Sequence, residues 1–256
     1  MAASKPTILL IHGAWHTSKN LEKLKLALEA AGYAASVPQL PSVSEVSPPT
    51  ADLAADTAVL RKHTEDLLEA GQTVVAVAHS YGGQVATNAL AGLDLASRAR
   101  DGRPGGIARL VYLCAFFLPK GKSMIDVLRE FGHEALLPLV FDIAEDRSIV
   151  CRDVKTTMLG PGVEGEEINA YIASLGPRWN EKCMYDEITS DEAWRVIPVT
   201  YIHTTQDTMV PMAYQTSMVE YIQAQGTEVE TFTLESGHCP NLTATEDLVD
   251  VIKKLA

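Results

Sequence analysis

Short, almost wholly apolar runs alternate along the chain with longer stretches whose apolar residues recur every three to four positions. The first run, Thr7–Ile11, ends at His12-Gly13 and lacks the polar alternates of a one-sided strand, so it predicts a strand buried on both faces. Ser18 is placed to cap the helix that follows, with Leu21, Leu24, Leu28 and Ala31 at helical spacing and Gly32 closing it. Tyr33–Val37 predicts a second strand, and Pro38–Pro49, with four prolines, a turn-rich loop. Leu53–Leu68 predicts a helix closed near Gly71, Thr73–Ala78 a third and central strand, and Tyr81 to about Ala99 a helix broken by Asp101–Gly106. Ala108–Phe117 and Val196–His203 predict strands four and five, Met212–Gln225 a helix, Glu228–Leu234 a less buried sixth strand, and Thr245–Leu255 a closing helix. This is the pattern of βαβ units: an α/β fold with a mostly parallel sheet of about six strands and helices on both faces. The 76 residues of Phe117–Glu192 break the alternation and read as a lid inserted within one domain spanning residues 1–256. Such a lid would lie over the C-terminal edge of the sheet, where open α/β folds bind ligands.

The candidate chemistry lies at the ends of these runs. Ala78-His79-Ser80-Tyr81-Gly82-Gly83 joins the third strand to the next helix. A serine on so tight a turn projects its hydroxyl above the sheet, and its neighbours must be small because strand and helix backbones approach closely. Ala78 replaces the first glycine of the usual G-x-S-x-G pattern, a mild departure because alanine also lacks bulk. An ordinary N-cap role for Ser80 would not explain the small flanking residues. A serine hydroxyl needs a base within hydrogen-bond reach. Among seven histidines, His63 lies in a charged helix, His133 in the insertion and His203 at the end of strand five. His238, between the last strand and the last helix, falls at the sheet edge where a base must meet Ser80. Asp207, directly after strand five, is the carboxylate expected to orient that imidazole, with a turn-capping role as its alternative and Asp126 in reserve. The order Ser80, Asp207, His238 is the one expected when a nucleophile elbow opens the set. Backbone N–H groups of Tyr81, at a helix start, and Ala14, in the loop after strand one, are the candidate oxyanion donors. His12 and His16 are four residues apart, but in a strand-end loop without a carboxylate partner, so neither metal nor cofactor is expected.

Composition narrows the partners. With 46% apolar and 21% charged residues the chain has the make-up of a soluble globular domain. Its 21 Lys and Arg against 33 Asp and Glu give a net charge of −12 and no basic cluster, which excludes a nucleic-acid-binding face. The apolar runs are strand-sized, far short of the roughly 20 residues of a spanning helix, so no membrane partner is expected. Without a signal-peptide pattern or paired spacing of Cys114, Cys151, Cys183 and Cys239, the expectation is a cytoplasmic protein with free thiols. Phe117–Glu192 holds 15 acidic and 8 basic side chains, a net of −7 that disfavours a polyanionic substrate. Its Met124, Leu128, Phe131, Leu136, Leu137, Phe141, Met158, Tyr171 and Trp179 either line an apolar pocket or pack the lid onto the body. Trp15, His16, Phe131, Phe141 and Trp179 are the substrate-binding candidates, for a neutral, moderately hydrophobic ester or lactone. A homodimer is left open.

Together these residues resemble the α/β-hydrolase superfamily over nearly the whole chain. The run Ile8–His16, the elbow Ala78–Gly83, the run Leu110–Pro119, and the Gln206-Asp207 and Gly237-His238 steps resemble, more narrowly, the methylesterase/hydroxynitrile-lyase branch and related small bacterial and fungal esterases. The resemblance implies a compact sheet lacking the first strands of larger members, a lid after strand four, a Ser80/Asp207/His238 triad and an oxyanion hole of Ala14 and Tyr81. Hydroxynitrile lyases of this branch carry a lysine directly after the catalytic histidine; Cys239 stands there in this chain. The expected activity is therefore carboxylic ester or lactone hydrolysis through an acyl-enzyme on Ser80. Its rivals are a lyase or C–C-bond-cleaving enzyme on the same triad, and a non-catalytic small-molecule receptor. Ester turnover accompanied by a Ser80 adduct separates the three.

Overall fold

A computed structural model of the chain describes residues 5–256. β1 (Thr7–Ile11), β2 (Ala35–Ser36), β3 (Thr73–His79) and β4 (Gly106–Leu113) open the main sheet. An excursion carrying β5 (Phe141–Ile143), β6 (Ser148–Cys151) and β7 (Trp179–Asn180) follows, and β8 (Val199–Thr204) and β9 (Val229–Leu234) complete the sheet. The six main strands run parallel in the order β2-β1-β3-β4-β8-β9.

Alternation within strands that are apolar on both faces creates two cores. Ile8, Leu10, Val75 and Val77 pack on one face with Leu24 and Leu28 of α1 (Glu22–Ala30) and with Leu248 and Ile252 of the C-terminal helix Thr245–Leu255. Leu9, Ile11, Val74, Ala76 and Ala78 pack on the other, against α2 (Leu53–Glu69), α3 (Gly82–Ala89) and the helix Met212–Ala224. Each fully buried leucine contributes about 2 kcal/mol. The outer strand β9 is half-exposed, as its polar alternation predicts.

Several predicted boundaries move, each for a local reason. The helix expected from Tyr81 to Ala99 is two: α3 ends at Ala89, Gly92 turns the chain at φ +73°, and Asp94 caps α4 (Leu95–Arg100) by accepting the Ser97 N–H at 2.7 Å. The fourth strand leaves the sheet at Leu113 rather than Phe117, because Cys114 adopts φ +37°. The second strand keeps only Ala35–Ser36 of the predicted five residues. The first helix begins as a 3₁₀ turn, Ser18–Leu21, whose cap is Thr17 paired with Asn20 rather than Ser18.

Between β4 and β8 the chain builds a small antiparallel sheet, β5-β6-β7, flanked by α5 (Met124–Glu130), α6 (Leu137–Val140), α7 (Glu166–Ala173) and α8 (Lys182–Tyr185). This layer is fastened to the loop after β1: the Trp15 indole donates to Ile149 O at 2.8 Å, and Gly176 N–H donates to Trp15 O at 2.6 Å. No helix among the described residues is long and apolar enough to cross a membrane. All four cysteines are buried and unpaired.

Candidate active site

The parallel register aligns the C-terminal ends of the strands: Ile11 lies beside Ala78, His79 beside Leu113, and Thr204 beside Leu234. The loops leaving β1, β3, β8 and β9 therefore meet at one edge. Ser80 follows β3 at φ +55°, a left-handed conformation that a non-glycine residue holds only under surrounding constraint. Three hydrogen bonds supply it: Ser80 N–H to Leu113 O at 3.2 Å, and Ser80 O accepting from Gly83 and Phe116 N–H at 3.0 and 3.1 Å. The small neighbours are explained by crowding. A Cβ on Gly13 would lie 2.7 Å from Ser80 Cβ, and one on Gly83 would lie 2.6 Å from Phe116 O.

His238 Nε2 lies 2.8 Å from Ser80 Oγ, and His238 Nδ1 lies 2.7 Å from Asp207 Oδ2. Asp207 is itself held. Its Oδ1 accepts the N–H groups of Met209 and Val210 at 2.9 and 2.8 Å, and its Oδ2 accepts the Thr204 hydroxyl at 3.0 Å. A carboxylate so fixed sets the imidazole with Nδ1–H toward Asp207, leaving Nε2 as the acceptor facing serine. Tyr81 is the N-cap residue of α3, and Ala14 borders the same space as Ser80. Neither backbone N–H of this pair donates to a protein acceptor among the described residues.

Of the histidines other than His238, His79 touches this chain of contacts, whereas His12, His63 and His133 hold different partners. His12 is fully buried; its Nδ1–H donates to Gly13 O at 2.9 Å and its Nε2 accepts Leu40 N–H at 3.0 Å, so it braces two loops rather than binding metal with His16. His63 meets the Ser36 hydroxyl, and His133 meets the Tyr214 phenol. His79 was passed over in the sequence, although it adjoins Ser80: its Nε2–H donates to His238 O at 2.6 Å. Burial lowers the pKa of His12 to about 4 and of His16 to about 3, and pushes His79 well below the usual histidine range. Asp126 is spent on capping α5, accepting both the backbone N–H and the hydroxyl of Ser123.

A cavity of about 50 Å³ opens beside Ser80. Trp15, Phe141 and Trp179 line it as expected, together with Phe116, Met124, Leu128, Met184 and Met209. Two substrate-binding candidates lie elsewhere. His16 is buried and turned into the protein, its Nδ1–H on Ala14 O at 2.8 Å and its Nε2 3.5 Å from Cys239 Sγ. Phe131 stacks on Tyr214 at 4.6 Å, filling the seam between α5 and the helix Met212–Ala224. Phe116 and Met209 could have been suspected from their places just past β4 and Asp207; nothing in the sequence singles out Met184. Cys239, where a lysine would stand in a hydroxynitrile lyase, is fully buried, and burial pushes its thiol up to about 12.

The fold has counterparts among known proteins. A relative named a probable hydrolase, R7, from Phoma sp. is 29% identical, covering 99% of both chains. A pyrethroid hydrolase from Sphingobium faniae JZ-2 superposes with a TM-score of 0.73 at 21% identity, over 97% of this chain and 96% of that one. The methylesterase MES16 from Arabidopsis superposes with a TM-score of 0.74 at 18% identity, over 98% of each chain. The model of the alpha/beta hydrolase family matches residues 8–251. A parallel sheet whose third strand feeds a strained serine elbow, together with a family match running from β1 into the last helix, places this chain in the alpha/beta hydrolase family.

Proposed function

We propose that the chain is a serine hydrolase that cleaves a neutral, moderately hydrophobic carboxylic ester or lactone through an acyl-enzyme on Ser80. The observation that carries this reading is the continuous chain Ser80 Oγ, His238 Nε2, His238 Nδ1, Asp207 Oδ2, with contacts of 2.8 and 2.7 Å at the edge of an apolar cavity. Ser80 Oγ attacks the ester carbonyl carbon as His238 Nε2 takes its proton, and Asp207 stabilises the resulting imidazolium. The Tyr81 and Ala14 N–H groups, which meet no other acceptor among the described residues, receive the charge that develops on the carbonyl oxygen. His238 gives the proton to the departing alkoxide, leaving the acyl group on Ser80. It then draws a proton from water, whose oxygen attacks the acyl carbon, and passes that proton to Ser80 Oγ as the acyl–oxygen bond breaks and the acid is released.

The apolar wall supports an uncharged substrate. Two structural neighbours are named a pyrethroid hydrolase and a methylesterase, and the second name is that of an ester-cleaving enzyme. Among the described residues no lysine borders the cavity, and buried Cys239 offers no cation in its place, which favours hydrolysis over cyanide elimination.

The test is turnover of short- and medium-chain p-nitrophenyl esters by the wild type and Ser80→Ala, beside intact-mass analysis after a fluorophosphonate. We expect turnover and a single adduct in the wild type, with no adduct and a loss on the order of 10³-fold or more in the variant. Near-wild-type turnover by Ser80→Ala would overturn the mechanism. An unlabelled, inactive wild type that still binds ester-like ligands would turn the reading to a receptor.

A further inference from the structure

A second buried carboxylate lies one residue away from the proposed nucleophile's turn in space, although 24 positions earlier in the chain. Asp56, in the first turn of α2, is fully buried. Its Oδ1 accepts the Ser42 N–H at 2.9 Å, and its Oδ2 accepts the Ser42 hydroxyl at 2.5 Å and the Tyr81 phenol at 2.7 Å. No Lys or Arg among the described residues forms an ion pair with it; Lys182 is engaged by Asp52 and Asp186. Burying a carboxylate without a countercharge is costly, and burial lifts its pKa from 3.8 to about 6.

The polarity of the contacts shows what a carboxylate does there that an amide would not. An ionised carboxylate only accepts, so both hydroxyls must point their hydrogens at it. The Ser42 oxygen is then left to accept the Trp179 indole N–H, at 3.1 Å, from the cavity wall. The Tyr81 ring, anchored at its far end by Asp56, also meets the Trp179 ring edge-on at 4.9 Å. Tyr81 is therefore gripped at its phenol by α2 and at its backbone by the turn carrying Ser80. An asparagine would set its NH2 either against the Ser42 N–H, losing that bond, or against the two hydroxyls, which would then have to reverse.

We infer that Asp56 is a positioning residue, which holds the Tyr81 backbone N–H at the oxyanion through the Tyr81 phenol while Ser42 and Trp179 brace it from the cavity side. The inference rests on the reading of Tyr81 as an oxyanion donor given above. A purely structural Asp56 would lower stability when replaced; a positioning one lowers rate at unchanged stability.

The experiment compares wild type, Asp56→Asn, Tyr81→Phe and the double variant by the rate of fluorophosphonate labelling of Ser80, by kcat and KM on p-nitrophenyl acetate, and by melting temperature at pH 8. Each single variant is expected to lose about tenfold in labelling rate and kcat with KM within about twofold, as when one transition-state contact loosens. The double variant should lose no more than about tenfold, because both changes cut one linkage. Asp56→Asn should melt no lower than the wild type at pH 8, since it removes an uncompensated buried charge. Single variants within twofold of wild type would overturn the inference, as would multiplying losses of about 100-fold in the double variant. So would a loss of rate that follows a lowered melting temperature. A wild type that is labelled yet leaves esters uncleaved defeats the ester reading alone, and the labelling rates still decide on Asp56. A wild type neither labelled nor active defeats both.

Discussion

Glycine at position 13 takes no chemical part in the proposed reaction, yet it has little freedom to change. Its missing Cβ is what lets the loop after β1 close onto Ser80, where a methyl group would stand 2.7 Å from Ser80 Cβ and 3.1 Å from His79 Nδ1. Gly13→Ala should therefore push Ala14 and Ser80 apart, costing about 10- to 100-fold in kcat with a drop of a few degrees in melting temperature. Steady-state kinetics beside a thermal melt checks this, and activity near wild type would show that the loop gives way. Ser80, His238 and Asp207 were legible in the sequence because each directly follows a strand or sits between the last strand and helix, and parallel strands deliver such residues to one edge. Asp56 and Ser42 were not, because their partners are 25 and 14 positions off and no periodicity announces a polar contact across layers. His16 and Phe131 were misplaced for a related reason: side-chain type suggested a pocket, while the direction of the backbone decided otherwise.

The long strands and helices were visible as elements because their two periods persist for several turns or pairs. The cap strands β5 and β7, three and two residues long, are too short to display any period. The break between α3 and α4 hid behind apolar residues that would continue a helix, and only Gly92 at φ +73° and the cap at Asp94 reveal it. The short helix α8 gives this scale its own prediction. Met184, on α8, closes the cavity beside Ser80, whose volume of about 50 Å³ admits a small acyl group. Met184→Ala should shift preference from acetyl toward hexanoyl esters by about tenfold in relative kcat/KM, with a stability loss of about 2–5 kcal/mol. A chain-length series of p-nitrophenyl esters reads the first number and chemical denaturation the second. An unchanged series would move the selectivity to another wall.

For the molecule as a whole, buried titratable groups set the response to acid. His12, His16 and His79 have folded pKa values below their unfolded value of 6.5, so the unfolded chain binds protons that the native one refuses. Their contribution is present above about pH 6.5 and is lost as pH falls toward the folded values, at roughly 1.4 kcal/mol per pKa unit for each group. Asp56 acts in the opposite sense: with its folded pKa raised to about 6, it favours the native state at low pH and loses that contribution as pH rises through 6. Three histidines outweigh one carboxylate, so melting temperature should fall between pH 7 and pH 5, and His16→Gln should flatten that slope. A melting temperature that rises over this range would mean the imidazoles are accessible to protons in the native state.

The order of strands also separates the assembly of the site from the collapse of the core. Ser80 leaves the interior strand β3, whereas His238 hangs from β9 at the outer edge of the sheet, 158 residues later in the chain. Until β9 docks, the serine has no base. Reactivity toward a fluorophosphonate therefore reports the docking of β9 on β8, and after dilution from denaturant it should not appear before that pairing forms.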